Sequence, residues 1–457
     1  MFLIPVAVSV ISTGLCEKAR AESSQKTHLS GSTSQAAIAQ GQAEEIIAQL
    51  ADSKSNQLPN LRFTSETKLQ VLGPTIAPYL AKQLNSSSSL VAMVCSNVLG
   101  KFGSDSIEPI VQELKEHGAN QNIHNALRQI GEDAMPPLVK MLQSSKDSER
   151  LTAAEVINLM LPTNLRDINF DYPQTNHFVP SRQLVDSICA STASEKSVKV
   201  RQLETQILGK IGPRYDVLNA LFKIADSDDE PVVRGTAIMA VGAIAAKQSD
   251  EAAESYITKL VKWTKSDEFD GCRVAAANAI GLAKKDPGIS IPALAALIAD
   301  PRTEVASAAL MNLQKFGSKA SSALPSLQTV IEKDADSQQT YYALLAIGHL
   351  GTNAKPAVGL LVKDISSSSS QVRSGATSAL AQLARDSDIN LKPYMPKFLE
   401  LLKNDDFSTR WQAMQILEAM GTQATSAKDA LIASMEKYPN DKGRVQMTLR
   451  KILGHFP

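Results

Sequence analysis

Residues 229–244, which read Asp-Glu-Pro-Val-Val-Arg-Gly-Thr-Ala-Ile-Met-Ala-Val-Gly-Ala-Ile, contain the pattern that decides the fold. Ala237, Val241 and Ile244 follow Arg234 by three, seven and ten positions. Residues at these offsets share one face of a helix with 3.6 residues per turn. The stretch therefore predicts an α-helix with one small and two aliphatic residues on its buried side.

The same pattern recurs along almost the whole chain, at intervals of 28 to 51 residues. A period in this range indicates copies of one supersecondary unit that stack on their neighbours, which is the sequence signature of a solenoid. The eleven register points, aligned on the arginine, are Arg62, Ala92, Asn120, Arg150, Arg201, Arg234, Arg273, Ala306, Thr340, Arg373 and Arg410.

Two columns of this alignment describe the repeated helix. Three positions after the register point a small residue is usual, which favours close approach of neighbouring helices. Seven positions after it every residue is aliphatic, as expected of a buried stripe. The aliphatic column is Leu69, Leu99, Leu127, Ile157, Leu208, Val241, Ile280, Leu313, Ile347, Leu380 and Leu417.

Glycine and proline predict where each helix ends and the next begins. Glycine stands eleven positions after the register point in seven repeats, where it fits a left-handed C-terminal cap. Prolines follow a few residues later, among them Pro78, Pro136, Pro292 and Pro325, and proline suits the first turn of a second helix. The chain is therefore expected to be all-α, a right-handed α-solenoid of about eleven helix-turn-helix repeats. The glycines are Gly73, Gly103, Gly131, Gly212, Gly317, Gly351 and Gly421.

On these motifs the chain resembles the HEAT-repeat family, and most closely its phycobilisome-lyase-type HEAT-like repeats. The resemblance covers roughly residues 57–440 and implies an α-solenoid that hosts scaffolds, adaptors, nucleic-acid binders and a few enzymes. In that family an acidic residue in the turn and the arginine of the first helix bridge adjacent repeats. The resemblance assigns this role to Asp229 with Arg234 and to Asp405 with Arg410.

Composition narrows the function classes. The 47 basic and 47 acidic residues cancel, so the chain lacks the basic footprint of a nucleic-acid binder. Aromatic residues make up 5% of the chain, which is poor for a base-stacking platform. The cysteines show no metal-type spacing, and Cys95 occupies the small-residue column, where a buried structural thiol is expected.

The N-terminal region predicts export. Residues 2–15 are mostly apolar and too few to span a bilayer comfortably, and Ala19-Arg-Ala21 suits signal-peptidase cleavage. Residues 1–21 are therefore expected to be a signal peptide, residues 22–35 a Ser-rich linker, and residues 36–457 the solenoid, beginning with a helix at 36–51. The expected location is periplasmic or extracellular, with a cytoplasmic one as the alternative, and no membrane span is expected in the mature chain.

One insertion interrupts the repeats, at about residues 162–190, where the register interval is 51. It concentrates aromatic residues and a histidine, and insertions in repeat proteins often lie on the binding face. Phe170, Tyr172, His177 and Phe178 are therefore the candidate partner-binding residues. The alternative is a loop that covers an exposed patch between repeats.

No catalytic motif is found, and neither a metal site nor a cofactor is predicted. Glutamate follows none of the six histidines, so the paired His-Glu motifs of the iron-binding HEAT-like hydroxylases are absent. His349 falls in a polar column near a helix end and is expected at the surface. These observations favour a non-catalytic scaffold that binds another protein on its second-helix face. The resemblance leaves open a bilin lyase that attaches chromophores, and a nucleic-acid binder is the least favoured alternative.

Overall fold

The computed structural model describes residues 35–52, 58–161, 180–214, 216–266, 269–333, 338–386 and 388–454. Throughout these ranges the chain is a succession of helices joined by short turns, and these ranges contain no β-strand. The chain divides into two compact units, Met1–Ile211 and Gly212–Pro457. Each unit has its own set of packed helices.

The first unit begins with a helix at residues 35–51, α1, where the sequence predicts one at 36–51. Its other helices are α2 (Leu58–Leu72), α3 (Ala77–Lys82), α4 (Ser89–Phe102), α5 (Ile107–His117), α6 (Gln121–Ile130), α7 (Met135–Leu142), α8 (Asp147–Met160), α9 (Arg182–Ser194) and α10 (Val198–Ile211).

The second unit continues the same alternation. Its helices are α11 (Val217–Ser227), α12 (Pro231–Ala246), α13 (Asp250–Ser266), α14 (Asp270–Ala283), α15 (Pro287–Leu297), α16 (Thr303–Leu313), α17 (Leu324–Lys333), α18 (Gln338–Gly348), α19 (Val358–Asp364), α20 (Ser370–Asp386), α21 (Met395–Leu401), α22 (Phe407–Met420), α23 (Lys428–Lys437) and α24 (Lys442–Leu453).

Even-numbered helices from α2 onward are the first helices of the repeats, and odd-numbered helices from α3 onward are the second helices. Each of the eleven register points lies in a first helix or one residue before it, from α2 to α22. In the second unit the first helices pack on one another in chain order, from α12 to α24, and each second helix packs against the first helix that follows it. The first unit repeats this arrangement from α2 to α10. The predicted α-solenoid of stacked helix pairs is therefore confirmed.

The predicted buried columns form the core. Every residue of the aliphatic column is at most 1% exposed. In the small-residue column Ala153, Ala237, Ala276 and Cys95 are completely buried, and burial raises the pKa of the Cys95 thiol to about 12. Cys95 is therefore a structural thiol, as predicted. Burial of these two columns against neighbouring helices supplies the hydrophobic stabilisation of each repeat.

The seven predicted cap glycines all have positive φ, so the predicted helix ends are confirmed. In five of them, Gly73, Gly103, Gly131, Gly317 and Gly421, ψ differs from that of the predicted left-handed helical cap. At Gly421, φ is 56° and ψ is −130°, which lies in the mirror image of the β region. An L-residue with a Cβ rarely adopts this conformation, and it turns the chain into the 3₁₀ segment Gly421–Ala427 that leads to α23.

The prolines follow the prediction with one exception. Pro78, Pro136 and Pro325 occupy the second position of α3, α7 and α17, where no helical hydrogen bond is lost. Pro292 instead lies in the interior of α15, which begins five residues earlier at Pro287. Asp286, directly before this helix, has a φ of 42°, and Lys284, two residues earlier, has a φ of 52°.

Where the register point is an arginine, its side chain can bond the first helix to the turn that precedes it, as at Arg410 and Arg373. Nη1 of Arg410 donates to the carbonyl oxygens of Asn404 and Asp405, at 2.9 and 2.8 Å. Nη1 of Arg373 makes the equivalent bonds to Ser367 and Ser368, both at 2.8 Å. These carbonyls lie six and five residues before the arginine, beyond the end of the preceding second helix. A guanidinium with five donors can satisfy both at once.

Among the described residues, Arg150, Arg273 and Arg410 also reach into the next repeat. Nε of Arg150 donates to Glu195, Nε of Arg273 to Asp300, and Nε of Arg410 to Asp441, at 2.7, 2.8 and 2.6 Å. Glu195 and Asp300 each stand six residues before the following register point. The arginine therefore stabilises its own turn and the junction with the next turn.

Candidate binding surface

A recess of about 440 Å³ lies on the solvent-facing side of the first helices in the second unit. It crosses α18, α20, α22 and α24, and we call it the first-helix groove. Its lining residues are Leu345, His349, Ser378, Ala379, Ala381, Gln382, Arg385, Gln415, Glu418, Ala419, Arg444 and Lys451. A preformed recess across four helices can contact a partner without reorganising the backbone.

The groove exists because short side chains separate longer ones. Ser378, Ala379, Ala381 and Ala419 stand between Leu345 on one side and the long side chains of α24 on the other. The helices below it approach closely, since a Cβ added at Gly348 would lie 2.7 Å from the Cα of Ala379. Close packing of α18 on α20 therefore holds the apolar floor in place.

One buried carboxylate organises the charges of the groove. Glu418 is only 8% exposed at its side chain and accepts from Arg444 Nη2 at 2.9 Å and from Lys451 Nζ at 3.2 Å. Thr448 donates its hydroxyl to the same carboxylate at 2.8 Å. Because Glu418 uses its oxygens on these three donors, the cations of α24 are held in defined positions.

The remaining charges make the groove cationic. Arg444 also lies 4.0 Å from the centroid of the Trp411 ring, a cation–π contact that further restricts it. Arg385 is exposed on the α20 side, where Nη2 donates to Gln382. Arg385, Arg444 and Lys451 against Glu418 leave an excess of two positive charges among the lining residues. His349 is exposed at the opposite edge, as the sequence predicts.

The second-helix face of the first unit carries a smaller recess, of about 250 Å³, between α7 and α9. Met135, Pro136 and Val139 line one side of it, and Leu184 and Ser187 line the other. This is the face on which the sequence predicts partner binding, and α9 begins within the predicted insertion, at Arg182. The structure thus offers recesses on both faces, and only the second-helix face was anticipated.

The four candidate aromatic and histidine positions of the insertion, Phe170, Tyr172, His177 and Phe178, lie outside the described residues. So do residues 1–34, which include the predicted signal peptide and nearly all of the linker. These assignments stay predictions. None of the described helices is long and apolar enough to cross a membrane.

The two predicted bridging pairs are brought together, but through the backbone of the acidic residue. Arg234 Nη1 donates to the Asp229 carbonyl at 3.4 Å, and Arg410 Nη1 donates to the Asp405 carbonyl at 2.8 Å. The Asp405 carboxylate instead accepts from Tyr438 and Lys437, whose hydrogen bonds lower its pKa. The carboxylate that meets Arg410 from the next repeat is Asp441, a residue that sequence reasoning missed.

Sequence reasoning also missed a group of potential metal ligands on the last turn of α5. Glu113, Glu116 and His117 place three ligand atoms within 4.8 Å of one another. Glu113 is buried, and its carboxylate already accepts from Asn85 Nδ2 and lies 3.0 Å from His117 Nδ1. The i, i+3, i+4 spacing could have revealed this group. The carboxylate of Glu113 already has partners within the protein, Asn85 and His117.

Comparison with known proteins gives a family match for one segment of the chain. Residues 185–281 match the family model described as HEAT repeats. No curated protein sequence matches the chain.

Solved structures that share the fold include those of Kap95p and Kap121p. Kap95p, in a structure in which its binding induces the switch loops of RanGDP to adopt the GTP-bound conformation, aligns with 91% of this chain at a TM-score of 0.56 and 14% identity. The karyopherin Kap121p bound to the SUMO protease Ulp1p aligns with 91% of it at a TM-score of 0.51 and 15% identity. The chain spans about half of each, 55% and 53%. Residues 185–281 thus match HEAT repeats, and the stacked helix pairs share the fold of these two solved structures.

Proposed function

We propose that the chain is a non-catalytic scaffold that binds another protein in the first-helix groove. The observation that carries this proposal is the groove itself, a recess across four helices whose cations are held by Glu418 and Trp411. Pre-organised side chains lose little conformational entropy on binding, so even modest contacts contribute to affinity. Kap95p and Kap121p, which share the fold, are both described with bound proteins, and this favours the same use here.

Site-specific photo-crosslinking tests this proposal. Ser378 in the groove and Ala433 on the second helix α23 are both small and exposed, so each can be replaced by benzoylphenylalanine without loss of packing. We expect one protein in native extract to crosslink to the Ser378 position and not to the Ala433 position. The captured protein, once purified, should bind the unlabelled chain saturably in sedimentation experiments.

The scaffold proposal is overturned if the two positions give the same adducts, or if the purified protein binds equally well after Ser378→Trp fills the groove. Far-UV circular dichroism of each variant controls for folding.

The insertion is proposed as a clamp on the same partner, on the basis of its aromatic content alone. Replacing Phe170, Tyr172, His177 and Phe178 together with alanine should weaken retention of the partner in a crosslinked pull-down. Deletion of residues 164–180 is the stronger version of the same test. Unchanged retention by both variants removes the clamp from the proposal.

Export remains part of the proposal, and it rests on the apolar run at residues 2–15 and on the Ala19-Arg-Ala21 cleavage pattern. N-terminal sequencing of the protein recovered from cells checks it. A mature chain that begins at Glu22 supports export, and an intact N-terminus argues for the cytoplasmic alternative.

A further inference from the structure

The partner's chemistry can be deduced from the first-helix groove, and this step rests on the function proposed above. The cations of the groove are placed on two of its sides. Arg444 and Lys451 project from α24 and are anchored by the single carboxylate of Glu418. Arg385 projects from α20, where its Nη2 donates to the neutral side chain of Gln382 at 3.3 Å. Asp386, one residue beyond it, is hydrogen-bonded by Gln382.

An apolar strip continues from the groove along the first helices. Leu345 lies on the groove edge in α18, and Met311, at the same register position in α16, is 41% exposed. Tyr341 stands one turn before Leu345 and is half-buried. The surface thus combines cationic side chains with an adjoining aliphatic and aromatic strip. A ligand that satisfies both parts must carry negative charges and apolar side chains on one chain.

An acidic protein segment fits this combination better than a nucleic acid. Guanidinium and ammonium groups bind carboxylates strongly, and the alanine floor has room for an aliphatic side chain. A nucleic acid needs a run of cations along its phosphates and flat aromatic faces for its bases. The groove has three cations, a buried acid and an alanine floor.

We infer that the first-helix groove binds an acidic peptide segment of the partner, with carboxylates on Arg385, Arg444 and Lys451 and an aliphatic side chain above Ala379 and Ala419. The binding is electrostatically assisted, so it weakens with salt, because the Debye length falls to about 8 Å near 0.15 M ionic strength.

Fluorescence anisotropy with a defined probe tests this inference. The probe is a fluorescein-labelled peptide of repeated Glu-Leu-Glu units, compared with Gln-Leu-Gln and Lys-Leu-Lys peptides of equal length. We expect the full chain to bind the acidic peptide at least about tenfold more tightly than the other two, as expected for complementary charges. An oligodeoxythymidine of similar charge should compete poorly.

Matched charge reversals locate the site. The double variant R385E/K451E should lose at least about tenfold in affinity for the acidic peptide, because it replaces attraction by repulsion. K428E makes the same kind of change at an exposed position of α23, outside the groove, and should bind like the wild type. Ser378→Trp should also weaken binding, since it fills the recess without changing charge.

Three results overturn the inference: equal affinity for the acidic and glutamine peptides, wild-type affinity in R385E/K451E, or stronger binding of the oligonucleotide. The crosslinking experiment separates this failure from failure of the scaffold. A partner captured at Ser378 together with no preference for the acidic peptide keeps the scaffold and rejects the acidic segment. Failure of both experiments rejects both.

Discussion

The register arginine recurs because one guanidinium satisfies two backbone carbonyls of the turn that precedes its helix. These carbonyls lie outside the helices, and the short turn between repeats has few other donors. Arg373 and Arg410 supply them through Nη1. Where an acid of the next repeat is present, Nε is used as well, so the residue serves two adjacent repeats at once.

Stability measurements can distinguish Asp441 from Asp405 as the structural partner of Arg410. Both side chains of the Arg410–Asp441 pair are at least 95% buried. Arg410→Ala should lower the free energy of unfolding by about 3–5 kcal/mol, because it leaves the Asp441 charge buried without a partner. Asp405→Ala should leave it nearly unchanged, since the Asp405 side chain is 89% exposed. Urea titration of both variants checks the difference, and equal losses would favour Asp405 as the structural partner.

Glu204 is an exception to the small-residue column and predicts a pH dependence. It is completely buried in the column that holds alanine in most repeats. Ser191 donates to Oε1 at 2.6 Å, and Oε2 has no hydrogen-bond partner. Burial raises the pKa of this carboxyl from 4.5 to about 7.

Because the folded pKa of Glu204 lies above the unfolded one, the folded state holds an extra proton between pH 4.5 and about 7. The contribution of Glu204 to the free energy of unfolding is fully present below pH 4.5 and is lost as the pH rises through about 7. The loss amounts to at most about 3 kcal/mol. Glu204→Gln should remove this slope. Unfolding free energies measured from pH 4.5 to 8 check it, and an identical slope in Glu204→Gln would assign the dependence to other groups.

At the scale of elements, the register arginine of a first helix bonds to the turn of the next repeat where that turn supplies an acidic residue. An acidic residue six positions before a register point accepts a hydrogen bond from Nε of the preceding register arginine. Arg150 donates to Glu195 in this way, and Arg273 donates to Asp300. Asn404 occupies this position after Arg373, and Nε of Arg373 is buried there without a hydrogen-bond partner. An orphaned buried donor costs stability.

Asn404→Asp should therefore stabilise the chain, by about 1 kcal/mol, because a charge-assisted bond replaces an unmade one. The turn tolerates the change, since Asn404 Oδ1 accepts from the backbone N–H of Asp406 as Asp300 Oδ1 does from Arg302. A double-mutant cycle with Arg373→Ala measures the coupling. A gain that persists in the Arg373→Ala background would show that the two residues do not interact.

At the scale of the whole molecule, each helix pair is stabilised mainly by contacts with the helix pairs next to it in the chain. The second unit has its own core from α11 to α24, and Gly212 ends the preceding helix at a φ of 84°. Residues 212–457 alone should therefore fold cooperatively, with a helical far-UV spectrum and a single urea transition. They should also retain the acidic-peptide affinity of the full chain, because α18 to α24 supply the whole groove. An unfolded spectrum for this fragment would show that the second unit requires the first.

The periodicity of short-range patterns determined the fold of this protein from sequence. Aliphatic residues seven positions after each register point, and glycines four positions further on, specify helix faces and helix ends, because these depend on residues within a few turns of one another. For Arg410, however, the predicted acidic partner was Asp405, and the structure shows that it is Asp441. Asp405 is near Arg410 in sequence, whereas Asp441 is near it only through the stacking of helix pairs.

The candidate binding surface was decided by tertiary structure alone. The groove is formed by residues from four helices spread over residues 345–451, none of which belongs to a recognisable motif. Its charge depends on Glu418 being buried under Arg444 and Lys451, which no local pattern encodes. A regular period predicts that helices stack. The shape and charge of the surface arise from side chains that lie far apart in sequence and that only stacking brings together.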